Sequence, residues 1–141
     1  MRIASRRNIC GRCGDRSTTD WSRRERLIQI QAPFAASDES EPEPDVAVLP
    51  VGDYSRAHPD RAWLIIEVAE TSVDKDRHIK ADLYAAAGVP EYWLVDLVAN
   101  AVEVRTELRH GRYSRLTTHA EGVLRPEAFP DLEVPAEALL P

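Results

Sequence analysis

Apolar residues occur along this chain in short runs that have the length of β-strands. Between Arg26 and Gln31 they stand among polar residues, which is typical of a strand with one exposed face. The run from Trp63 to Val68 is apolar at every position except Glu67, and it predicts a strand that is buried on both faces. Further strands are predicted at the other apolar or alternating runs, the last two joined as a hairpin: residues 45–49, 91–96, 102–106 and 113–117.

One segment has helical spacing instead. A helix over about residues 73–87 is predicted, capped at its start by Thr71 or Ser72 and ended by Gly88 with Pro90. Three apolar residues recur along one side of it and should form its core face: Ile79, Leu83 and Ala86. The resulting order, β-β-β-α-β-β-β, predicts an α/β domain with a mixed sheet.

Length and composition agree with a single soluble domain. A chain of 141 residues, 43% hydrophobic and 30% charged, can close one hydrophobic core. The sequence has no apolar run of membrane-spanning length, so no membrane segment is expected. Because it also has no disulfide framework and no secretory signal pattern, we expect a cytoplasmic protein.

Charge is distributed unevenly along the chain. Residues 1–26 hold eight Arg and three acidic residues, a net charge of +5, whereas the whole protein carries −6, which leaves −11 for residues 27–141. We predict that the Arg-rich leader is disordered, because it has few large apolar groups, and that residues 27–141 form the folded domain. An acidic body counts against strong sequence-independent binding of nucleic acid, but it suits carboxylates that recruit a divalent cation.

Two acidic residues stand at positions where burial of a charge would cost free energy. Glu67 lies inside an apolar strand, and Asp45 opens the strand that follows Pro44. An ionised carboxylate in such a strand needs compensation, which a bound cation supplies. If the two strands are neighbours, the carboxylates can converge on one Mg²⁺. The alternative for each residue is structural: a salt-bridged or edge-exposed carboxylate.

Lys80 follows Glu67 by thirteen residues, on the predicted helix, and it is one of only two lysines in the chain. Asp76 and Tyr84 each lie one turn away from it on the same helix face. Taken alone, Lys80 is better interpreted as half of a surface ion pair with Asp76. Arg77 and His78 are interpreted as surface or rim residues, and Asp96 as either a turn residue or an outer group of the site.

These motifs resemble a known family in their succession. Four blocks carry the resemblance: Glu43-Pro-Asp-Val-Ala-Val48, Leu64-Ile-Ile-Glu-Val68, Asp76-Arg77 with Lys80 and Tyr84, and Ala87-Gly-Val-Pro-Glu-Tyr-Trp-Leu-Val-Asp96. Over about residues 27–135 the chain is similar to the bacterial "putative restriction endonuclease" family of the PD-(D/E)XK nuclease superfamily. The resemblance implies a restriction-endonuclease-like fold, a mixed sheet flanked by helices, and divalent-metal-dependent cleavage of nucleic acid, with DNA as the first expectation.

The resemblance also assigns roles. Asp45 matches the aspartate of the PD motif and Glu67 its second acid, and with the backbone carbonyl of Val68 they would hold Mg²⁺ or Mn²⁺. The usual lysine two residues after the second acid is absent, since Ala69 stands there. Lys80 matches a lysine that has migrated to the helix, where it would orient the attacking water or help to deprotonate it, and would offset charge on the phosphate. The lower-ranked candidates for the site are Gln31, Asp76, Tyr84 and Asp96.

Family members normally begin with a helix and hairpin that supply a further acidic residue and cover the sheet. Residues 1–26 show nothing similar, so we expect this element to be missing or replaced. An alternative function follows: a catalytically silent nuclease-fold protein, truncated or degenerate, that acts as a binding or interaction module. A third, a zinc-dependent nucleic-acid binder, rests on Cys10 and Cys13, which supply half of a four-ligand site. The sequence leaves open a homodimer and the choice between DNA and RNA.

Overall fold

The structure, a computed structural model, describes residues 25–71 and 74–141, and all of their side chains except those of residues 74–76. Most of the predicted leader, with Cys10 and Cys13, therefore lies outside the described residues, as does the proposed cap at Ser72. The elements are β1 (Arg26–Ile30), β2 (Val46–Pro50), β3 (Leu64–Ala69), α1 (Asp74–Ala86), β4 (Tyr92–Asp96), β5 (Ala101–Arg109), β6 (Arg112–His119), β7 (Val123–Leu124), β8 (Val134–Pro135) and a 3₁₀ turn (Ala136–Ala138).

Six strands form one sheet in the order β1-β2-β3-β4-β5-β6. β3 and β4 are parallel and are connected through α1, whereas the other neighbours are antiparallel. The predicted mixed sheet is confirmed, including the prediction that β2, β3 and β4 are neighbours. β7 and β8 form a separate two-stranded sheet in the C-terminal tail.

Both faces of the sheet are covered. Under α1, the core contains mostly aliphatic and tyrosine side chains, among them Ile65, Tyr84, Tyr92 and Leu94. On the opposite face the C-terminal tail packs instead of a second helix, and it buries Leu124, Phe129 and Ala136 against Trp93, Val95 and Val102. Within the described residues no helix is long and apolar enough to cross a membrane.

The core face of α1 differs from the prediction. Ala81, Tyr84 and Ala85 are buried, whereas Ile79 is 54% exposed. The predicted stripe of Ile79, Leu83 and Ala86 was therefore wrong, with Leu83 half-buried and Ala86 exposed. The physical reason is a set of polar contacts: with this face inward, side chains of α1 reach two buried carboxylates of the sheet. The two small alanines also let the helix approach the sheet closely.

Candidate active site

The candidate site lies where the parallel strands β3 and β4 end and α1 begins, the edge at which α/β sheets commonly bind ligands. Glu67 is in β3 and is only 3% exposed. Asp45 directly precedes β2, and because Val46 stands opposite Ile66, the antiparallel register brings Asp45 beside Glu67. Oδ2 of Asp45 accepts a hydrogen bond from the amide of Val68 at 2.8 Å. The structure thus brings the two predicted carboxylates together.

Both oxygens of Glu67 accept hydrogen bonds from α1. The Tyr84 hydroxyl donates to Oε1 at 2.7 Å, and the Lys80 ammonium donates to Oε2 at 3.0 Å. The Lys80 side chain is 45% exposed and that of Glu67 is 4% exposed, so a partly solvated amine pairs with a buried carboxylate. Asp76 was the partner expected for Lys80 as a surface residue, and its side chain lies outside the described part of the chain.

Burial raises the pKa of the Glu67 carboxyl above its usual range. The hydrogen bonds from Tyr84 and Lys80 lower that pKa in part, and the nearby charge of Asp45 raises it further. Burial and the Glu67 charge also raise the pKa of Tyr84, which therefore remains a protonated donor. A cation bound at Glu67 would favour the ionised form of its carboxyl group.

A cavity of about 180 Å³ opens beside these groups. Its wall is formed by residues 67–71 together with Arg77, Lys80, Tyr92 and Leu94. Its volume corresponds to several water molecules at about 30 Å³ each. Acidic and basic side chains thus meet in one small space, which suits a cation and a phosphate group side by side.

Arg77 lines the cavity and forms an ion pair with Asp96. The Arg77 side chain is 16% exposed and donates to Oδ2 of Asp96, and to Oε1 of Glu103 at 3.5 Å. Of the two places predicted for Arg77, the surface and the rim of the site, the structure has the second, and His78 is exposed as predicted. The other oxygen of Asp96 accepts two amides of the turn that follows β4, from Val98 and Ala99, each at 2.9 Å. Asp96 is therefore a turn residue and an ion-pair acceptor.

Gln31 and Tyr92 complete the surroundings. Gln31 adopts a φ of 45° and its amide donates to the backbone oxygen of Asp45 at 3.1 Å, so it adjoins the site through its main chain. Tyr92 was missed by the sequence reasoning. It is fully buried, its ring lies 5.5 Å from that of Tyr84, and its hydroxyl has no hydrogen-bond partner among the described residues.

The donor set fits a magnesium-type ion. No three His, Cys, Asp or Glu side chains come together as metal ligands in residues 25–71 and 77–141. Mg²⁺, however, is commonly bound through one or two carboxylates, with waters and substrate phosphates completing its shell. Asp45 and Glu67 supply two carboxylates, and the Val68 carbonyl is on the same strand as Glu67. Each carboxylate offers about four lone-pair sites, so the hydrogen bonds already made leave others for a cation.

Comparisons with known proteins agree with this fold. The model of the Uma2 family, described as "Putative restriction endonuclease", matches residues 11–137. The chain is also similar to the crystal structure of "a putative nuclease belonging to DUF820" from Anabaena variabilis ATCC 29413, with a TM-score of 0.56 and 15% identity. That match covers 82% of this chain and 68% of the other, and at this identity it shows the fold alone. No curated protein matches the chain.

Proposed function

We propose that this chain, which belongs to the Uma2 family of restriction-endonuclease-like proteins, is a divalent-metal-dependent endonuclease. Family and fold together support a nuclease-like function. The finer proposal is hydrolysis of phosphodiester bonds in nucleic acid, with DNA as the first substrate to test because the family description refers to restriction endonucleases. One observation carries it: the carboxylates of Asp45 and Glu67 come from neighbouring strands, and Glu67 lines one cavity together with Lys80.

In this mechanism Asp45 and Glu67, with the Val68 carbonyl, would hold Mg²⁺ or Mn²⁺. When bound, such an ion supplies a water of lowered pKa and neutralises charge on a phosphate oxygen. The Lys80 ammonium contacts Glu67, and Lys80 also lines the cavity. In this mechanism it orients the attacking water or helps to deprotonate it, and it offsets the charge that develops on the phosphate. Tyr84 fixes the Glu67 carboxylate through Oε1.

An acidic body does not attract nucleic acid by its global field. The proposed function therefore assigns the recognition of phosphate to the cation that Asp45 and Glu67 would hold, and assigns to Lys80 the charge that develops during the reaction. Binding should accordingly depend on the divalent ion that the two carboxylates would hold, and be weak in its absence.

A second candidate is the catalytically silent nuclease-fold protein. It is favoured by the ion pair between Lys80 and Glu67, because this contact at 3.0 Å compensates the buried carboxylate without a metal. In that case Lys80 and Tyr84 stabilise the fold, and the protein acts through binding to a partner.

Cleavage of plasmid and single-stranded DNA in millimolar Mg²⁺ or Mn²⁺ tests the proposed function. Wild type should cleave, and EDTA should stop the reaction. Glu67→Gln, which keeps the shape of the side chain but removes its charge, should lower the rate by about 100-fold or more. The exposed Glu121 gives the matched control, since Glu121→Gln should cleave like wild type. Metal-independent cleavage, or equal rates for the two variants, would contradict the proposal.

A further inference from the structure

The start of α1 is held to the sheet by ion pairs. Apolar burial on this helix begins only at Ala81, whereas Ile79, one turn from its start, is 54% exposed. Before Ala81, the described side chains that reach the sheet are Arg77, which contacts Asp96, and Lys80, which contacts Glu67. The position of the first turns of α1 therefore depends on where these two cations are held.

Asp96 is a fixed partner for Arg77. Its carboxylate is 3% exposed, and Oδ1 accepts the amides of Val98 and Ala99 at 2.9 Å each, so the orientation of the group is set by the turn after β4. Oδ2 is then directed to the Arg77 guanidinium. A carboxylate that is locked by backbone amides gives this ion pair a defined place, unlike a pair between two mobile surface side chains.

Glu103 on β5 provides a second carboxylate for the same guanidinium. Its Oε1 is 3.5 Å from Nη1 of Arg77, and the three side chains of this cluster are each less than a fifth exposed. Arg77 thus joins α1 to β4 through Asp96 and to β5 through Glu103. A planar guanidinium can contact two carboxylates in this way, which the single ammonium of a lysine does less well.

We infer that Arg77 is a positioning residue that sets where the Lys80 ammonium stands relative to Glu67. The two residues are three apart on one helix, so their side chains leave the same face about 4.5 Å apart along the axis. A shift of the helix start by about 1 Å would stretch the contact between Lys80 and Glu67 from 3.0 Å beyond hydrogen-bond range. The inference rests on the proposed function, because it concerns the lysine to which that function assigns catalysis.

Two variants break the contact in different ways. Arg77→Gln removes the guanidinium. Asp96→Asn is the gentler change, because the asparagine Oδ1 still accepts the amides of Val98 and Ala99 while its Nδ2 can no longer accept from Arg77. Arg115→Gln is the matched control, since Arg115 pairs with Glu107 at 3.3 Å on the far side of the sheet and is 60% exposed.

In the cleavage assay, Arg77→Gln and Asp96→Asn should lower kcat by about 10- to 100-fold with little change in KM, because binding is kept while the reacting group is misplaced. Arg115→Gln should keep the wild-type kcat. The double variant Arg77→Gln with Lys80→Ala should cleave no more slowly than Lys80→Ala alone, since Arg77 acts through Lys80. Multiplied losses in the double variant would overturn the inference.

A second measurement needs no cleavage. Lys75 and Lys80 are the only lysines in the chain, so amine acetylation at each can be followed by mass spectrometry of intact folded protein. Release of Lys80 from Glu67 should raise its acetylation rate about fivefold in both variants, the change that corresponds to the loss of one net hydrogen bond. The control Arg115→Gln should leave that rate unchanged.

Cleavage and Lys80 acetylation together distinguish a failure of the proposed function from a failure of the inference. If wild type never cleaves but Lys80 labels faster in both variants, the proposed function fails and the positioning role stands. If Lys80 labels at the wild-type rate in variants whose circular dichroism is native, the inference is wrong, whatever the activity. Should Arg77→Gln not fold, Asp96→Asn decides the question alone.

Discussion

Glu67 and Glu91 are two buried glutamates on opposite faces of the same sheet, and the comparison separates a site from a structural contact. Glu67 is 3% exposed and Glu91 is 1% exposed, and each carboxylate accepts two hydrogen bonds. At Glu91 the donors are neutral: the Trp93 indole at 2.7 Å and the backbone amide of Glu127 at 2.7 Å. This carboxylate therefore ties the C-terminal tail to β4.

The surroundings of Glu67 are charged. Its donors include the ammonium of Lys80, and a second carboxylate, Asp45, stands on the neighbouring strand. Burial alone thus does not indicate a catalytic carboxylate, because Glu67 and Glu91 are both buried. What distinguishes Glu67 is a second acid on the neighbouring strand and a half-exposed cation that lines the same cavity as Glu67.

The largest effect that should separate the two regions is on cleavage. Lys80→Ala should lower the cleavage rate by about 100- to 1,000-fold, because it removes the charge that offsets the phosphate. The metal-induced rise in melting temperature should remain, since the two carboxylates are intact. Arg115→Ala is the control on the far strand. If Lys80→Ala cleaves like wild type, the assignment of the migrated lysine is wrong.

Glu91→Ala should act on stability instead. It leaves the Trp93 indole and the Glu127 amide without their acceptor, so the free energy of unfolding should fall by about 2–4 kcal/mol. Chemical denaturation would measure this loss. Because Glu91 is outside the site, the variant should keep metal binding and cleavage at temperatures where it is folded. A variant as stable as wild type would show that Glu91 does not hold the tail.

A smaller effect concerns pH. Burial raises the pKa of Glu91 to about 7, while hydrogen bonds from Glu127 and Trp93 lower it in part. The native state therefore binds this proton more tightly than the unfolded chain, and the stability contributed by Glu91 is full below about pH 4.5 and declines toward pH 7. The decline should be a few kcal/mol, and Glu91→Gln should flatten it. An unchanged pH dependence in Glu91→Gln would exclude Glu91 as its source.

Much of the fold was predictable because its signals are local. The apolar run around Glu67 gave a buried strand, observed as Leu64–Ala69, and Gly88 and Pro90 marked the end of the helix, observed as Asp74–Ala86. The pairing of Asp45 with Glu67 followed once the two strands were taken as neighbours. The catalytic roles of Asp45, Glu67 and Lys80 stay predictions.

What the sequence could not reveal depends on distant partners. The inward face of α1 is chosen by contacts such as that of Arg77 with Asp96, nineteen residues further on, and apolar periodicity carries no sign of them. Glu91 and the Glu127 amide are likewise thirty-six residues apart. The one available clue was spacing, since Arg77 lies three residues before Lys80 and so shares its helix face.

The central claim is that Asp45 and Glu67 form a divalent-cation site, and thermal unfolding with and without Mg²⁺ or Mn²⁺ tests it most directly. At metal concentrations of ten to a hundred times Kd, binding should stabilise the wild-type fold by about 1.4–2.7 kcal/mol and raise its melting temperature. Glu67→Gln should lose that rise and Glu121→Gln should keep it. A wild-type melting temperature that does not respond to either metal, or an equal response in Glu67→Gln, would contradict the claim.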